Sequence, residues 1–87
     1  MFISKVDVFK AMISEPRQLI LRTIDRGIRN LSGIAHELGT PRSTVEKHLR
    51  VLLRAGIVEK LPTLDERGRL NVKYEIKNVA YRLRAAL

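Results

Sequence analysis

Arg42, Ser43, Thr44, Lys47 and His48 bring a guanidinium, two hydroxyls, an ammonium and an imidazole into one short stretch. Two chemistries use such a set: nucleophilic catalysis and recognition of a polyanion. Catalysis lacks its other parts. The chain has no cysteine, and the only carboxylate among these groups is Glu46, which helical spacing turns toward solvent. There is no glycine-rich phosphate loop, and His36-Glu37-Leu38-Gly39-Thr40 departs from the His-Glu-x-x-His metal motif. His36 and His48 are the only histidines. Neither an enzyme nor a metal or other cofactor is therefore expected. Recognition fits better. Arg42 can bind guanine bidentately or clamp a phosphate, and Lys47 suits a phosphate. Ser43 and Thr44 are short enough for close approach, although both can also serve as helix caps. His48 reads either as a DNA contact or as a packed residue at a helix–helix seam, and His36 as an exposed helix residue.

These side chains need a rigid helix and a brace. Val45, Leu49, Leu52 and Leu53 recur at i, i+4, i+7 and i+8, which predicts a helix over 41–55 with one core stripe. Thr40 is expected as its N-cap, Pro41 in its first turn and Gly56 as its C-cap. Leu31, Ile34, Ala35 and Leu38 mark the preceding helix, and Gly39 the sharp turn between the two. Ser14 caps an earlier helix carrying Leu19, Ile20, Thr23 and Ile24, which Gly27 ends. Ile57 to Leu61 reads as a short strand. In a second strand Leu70, Val72, Tyr74 and Ile76 alternate with Arg69, Asn71, Lys73 and Glu75. Asp65-Glu66-Arg67-Gly68 supplies the turn, with Pro62-Thr63 expected as a loose base. Arg67 and Arg69 at a thin tip suit a narrow minor groove, and Lys73 and Asn71 on the wet face suit phosphates. Asp65 and Glu66 weaken the field there, so a solvated turn of mixed charge is the other reading.

The fold class is mainly α with a small β-hairpin, a winged helix-turn-helix with extra terminal helices. One domain spans 1–87, with the helix-turn-helix at 31–56 and the wing at 57–76. Its 87 residues leave room for a single core. A net charge of +8 and a pI near 10.6 point to a nucleic-acid partner. The charge is spread along the chain, so the fold must concentrate it. No apolar run exceeds three residues, and the first residues lack a signal peptide's unbroken apolar centre. Together with the absent cysteine, this gives the expectation of a cytoplasmic protein without a membrane partner. Two further stripes lie at the ends: Ile3, Val6, Phe9 and Ile13 in 1–14, and Val79, Leu83 and Leu87 in 77–87. They exceed what one small core buries, which suggests that they pair subunits.

Several motifs occur in order: Ile34-Ala35, Leu38-Gly39, Ser43-Thr44-Val45 and His48-Leu49. Leu52 with Ala55-Gly56-Ile57-Val58 and Arg67-Gly68-Arg69 follow. Over about residues 17–76 the chain resembles the ArsR/MarR-type winged helix-turn-helix transcription regulators, particularly small archaeal ones. The resemblance implies that helix 41–55 enters the major groove of double-stranded DNA. It assigns DNA contacts to Thr40, Arg42, Ser43, Thr44, Lys47 and His48. The wing at 62–70 is expected near the minor groove, with Arg67 and Arg69 as contacts, and Lys73 joins the DNA-binding set as a phosphate contact. It implies a homodimer built on Ile3, Val6, Phe9, Ile13, Val79, Leu83 and Leu87, acting as a repressor on a pseudo-palindromic site. The family's cysteine metal motif is missing, and no effector ligand is legible. A protein–protein module of a larger complex and a non-specific chromatin protein are the other expectations for such a domain.

Overall fold

The computed structural model describes residues 10, 11 and 13–77. After helical Lys10, Ala11 and Ile13 come α1 (Glu15–Asp25), α2 (Leu31–Leu38) and α3 (Arg42–Arg54). An antiparallel hairpin of β1 (Val58–Leu64) and β2 (Leu70–Ile76) completes the winged helix-turn-helix. The stripes at Ile3, Val6, Phe9, Val79, Leu83 and Leu87 lie outside the described residues. Ile13 is described, and 60% of it is exposed.

Ser14 caps α1 by accepting from the Arg17 amide at 3.5 Å, and Pro16 occupies the first turn, where no amide partner is lost. Asn30 caps α2, its Oδ1 accepting from the Gly33 amide at 2.6 Å. Gly39, at φ +60°, then turns the chain toward α3. Thr40 does not cap α3. Its hydroxyl donates to the Leu38 carbonyl at 3.2 Å and its amide to Ala35 at 3.0 Å, so it satisfies the trailing carbonyls of α2 instead. The N-cap of α3 is Pro41, without a side-chain bond, and helical residues begin at Arg42.

Ile20, Leu21 and Ile24 of α1 meet Ile34 of α2 and Val45, Leu49 and Leu52 of α3 in a core with almost no exposure. Leu19, expected inside, lies on the rim at 41% exposure, and Leu21 takes the buried place. The hairpin register runs unbroken from Val58↔Ile76 through Pro62↔Val72 to Leu64↔Leu70. Pro62 is thus a strand residue rather than a loose base, as a strand with one open edge permits. Val58, Tyr74 and Ile76 reach the core, whereas Leu64 and Leu70, beyond the helices, stand 71% and 75% exposed. The alternation expected to bury Leu70 is correct in phase but outruns the core. The Tyr74 amide donates to the Arg29 carbonyl at 2.8 Å, which pins the wing to the α1–α2 connection.

Candidate nucleic-acid interface

Burial of Val45, Leu49 and Leu52 fixes how α3 is rolled. At 100° per residue, Ser43, Lys47, Arg50 and Arg54 fall on the opposite, exposed stripe. Arg42 and Glu46 flank that stripe on the wing side, where they line a cleft with Lys60, Leu70 and Tyr74. Thr44 and His48 flank it on the α1 side and are half-buried. The predicted residues of α3 therefore divide. Arg42, Ser43 and Lys47 are exposed, and Thr44 and His48 lean into the seam.

Three cations went unread in the sequence: Arg50, Arg54 and Lys60. The first two sit i+3 and i+7 from Lys47, a spacing that the core stripe already implies. Lys60 needed the strand phase, which the adjacent apolar pair Ile57-Val58 left ambiguous. Register places Lys60 opposite Tyr74 on the face toward α3, and Lys73 opposite Leu61 on the other face. Lys73 pairs with Glu75 at 3.5 Å, and Glu75 also accepts from Arg29 at 3.0 Å. Lys73 is thus turned away from the cleft and held by a carboxylate. Glu46 pairs with Arg50 at 3.5 Å, an exposed i,i+4 contact that contributes little. Among the described residues, Arg42, Lys47, Arg54, Lys60 and Arg67 enter no ion pair.

Asp65 organises the wing tip. Its Oδ1 accepts from the Arg67 and Arg69 amides at 2.9 and 2.8 Å, and its Oδ2 from Arg69 Nε at 3.1 Å. Hydrogen bonds from Arg69 and Arg67 hold its carboxyl below the usual aspartate range, against a smaller opposing effect of burial. Gly68, at φ +75°, closes the turn. Arg69 is folded back onto Asp65, and Arg67 projects from the tip without such a clamp. His48 Nδ1 lies 3.4 Å from Arg17 Nη1 of α1, on the seam. Burial, then Arg17, then Lys47 push its pKa below the ordinary 6.5.

The sequence model for bacterial regulatory proteins of the arsR family matches residues 14–60, more than half of the chain and the whole of α1, α2 and α3. The chain belongs to the arsR family. This arsR protein is similar in fold to the cadmium metal-sensor CMTR from Mycobacterium tuberculosis, solved by NMR. The TM-score is 0.73 and the identity 26%, over 94% of this chain and 81% of that one. It also shares a fold with a candidate transcription factor from Pseudomonas aeruginosa, at a TM-score of 0.60 and 20% identity. That match covers 92% of this chain and 55% of the other. No curated protein matches the sequence.

ArsR-type proteins are DNA-binding transcription regulators and not enzymes, and this chain is one of them. A thiolate metal site does not fit it, because the sequence contains no cysteine. Among the described residues, no three His, Asp or Glu side chains gather as a ligand set. No helix among them is long and apolar enough to cross a membrane.

Proposed function

We propose that this arsR regulator is a homodimeric repressor that reads a pseudo-palindromic operator. In this reading α3 lies in the major groove and the wing lies beside the minor groove. The observation that carries it is the roll of α3, which turns Ser43, Lys47, Arg50 and Arg54 outward while Arg42 flanks the wing cleft. Arg42 and Ser43, at the helix start, approach base edges, and Lys47 takes a phosphate. Arg50 and Arg54 extend the phosphate track along α3. Lys60 guards the cleft between helix and wing, and Arg67 enters the minor groove. Arg69 and Lys73 have secondary parts, because each already serves a carboxylate. Thr40 contributes through its place at the turn.

Pairing through the terminal stripes sets two α3 helices about one DNA turn apart. Exposed Ile13 supports it. Repression follows from the family resemblance, with the bound dimer competing for promoter DNA. Selection of bound sequences from a random duplex pool tests the whole reading. A palindromic consensus is the expected result. Recovery of unselected sequence, or of a single asymmetric half-site, would overturn it.

A further inference from the structure

Arg17 touches neither the outward stripe of α3 nor the wing cleft, yet all three of its guanidinium nitrogens have partners. Nε donates to the Ala11 carbonyl at 2.9 Å and Nη2 to the Lys10 carbonyl at 3.2 Å. These two bonds fix the guanidinium independently of α3. Nη1 then stands 3.4 Å from His48 Nδ1. A guanidinium carries donors only, so His48 Nδ1 must accept, and a neutral ring that accepts there carries its proton on Nε2. We infer that Arg17 is a positioning residue for DNA binding, which holds His48 as its Nε2–H tautomer and so presents an N–H donor beside the first turns of α3.

The surroundings keep the ring in that state. Glu15 and Arg17 come from α1, Thr44 and Lys47 from α3, and apolar Leu19 and Leu38 complete the seam. Protonation would turn Nδ1 into a second donor facing the guanidinium, a contact with no acceptor. Burial and the cations Arg17 and Lys47 oppose it. A neutral Nε2–H serves a phosphate oxygen or a base acceptor without adding charge. The two readings of His48 thereby become one. Its Nδ1 belongs to the seam, and its Nε2 is the donor left for DNA. The inference rests on the DNA-binding reading above, but part of its test is independent of DNA.

The first measurement is the 15N spectrum of the His48 ring in the wild-type protein near pH 7.5. A protonated Nε2 and an unprotonated Nδ1 are expected, and the opposite tautomer or an even mixture would overturn the inference. The second is a double-mutant cycle on the selected operator. Arg17→Met should weaken binding roughly three- to ten-fold, the effect of one misplaced neutral hydrogen bond. It should leave the salt slope unchanged and have no further effect in a His48→Ala background. His48→Gln, which keeps a donor near the Nε2 position, should retain most of the affinity. A salt slope lowered by about one would mean that Arg17 itself contacts phosphate. Additive losses would mean that it acts on the fold alone. Either result rejects the tautomer role. Absence of operator binding by the wild type would instead reject the DNA-binding reading, and the ring spectrum would still stand or fall on its own.

Discussion

Arg67 and Arg69 are neighbours at one turn with different obligations, because Asp65 binds the Arg69 side chain and only the amide of Arg67. Arg67→Ala is expected to lower the log–log salt slope of operator binding by about one, the mark of a lost phosphate contact. Arg69→Ala should change the slope less. Titrations over a salt series separate the two. Lys60 and Lys73 show how far such distinctions were legible. The alternation of β2 already put Lys73 on the wet face, but the side taken by Lys60 depended on the phase of β1, for which Ile57-Val58 offered two choices. His48 makes a prediction of pH. Its folded pKa lies below the unfolded 6.5, so below pH 6.5 the unfolded chain takes up a proton that the folded one refuses. Stability is therefore full above that pH and falls as pH drops toward the folded value. Denaturant midpoints from pH 7.5 to 5 should fall in the wild type and flatten in His48→Gln.

At the level of elements, turn chemistry decides where each helix stops. Gly39 sits at φ +60° with open space where a Cβ would lie, so Gly39→Ala carries a backbone cost and no clash. A loss of about 1 kcal/mol in unfolding free energy is expected, read from urea titration. The helix periods, the glycine exits and the hairpin turn were all readable because each depends on local spacing. The start of α3 was not. Thr40 satisfies every sequence criterion for an N-cap, but the unsatisfied carbonyls of α2 stand one turn behind it and claim its hydroxyl and amide. The strand continuing through Pro62 was hidden for a similar reason, since an open edge tolerates a proline that a central strand would reject. For the wing, Asp65→Ala removes the acceptor for two amides and a guanidinium. Faster hydrogen exchange at the Arg67 and Arg69 amides is the expected readout, with the core amides unchanged.

Over the whole molecule, one small core holds both α3 and the helices that brace it. Leu49 is fully buried where α3 packs on the other helices, so Leu49→Ala should cost about 2–5 kcal/mol. A domain of this size has about 5–15 kcal/mol in total, so thermal unfolding should show a drop of several degrees or more. The overall positive charge pointed to a polyanionic partner in the sequence, and the fold sets Arg42, Lys47, Arg50, Arg54 and Lys60 around one cleft and one helix face. In the proposed reading the start of α3 contacts base edges, and Arg42 is the residue on which that depends. Binding of wild type and Arg42→Ala should be titrated on the selected operator and on each of its single-base variants. Arg42→Ala is expected to weaken operator binding and to remove about 1–3 kcal/mol of discrimination at one base pair of each half-site. Unchanged affinity, or an equal loss on every duplex with all discrimination intact, would mean that the start of α3 does not read bases.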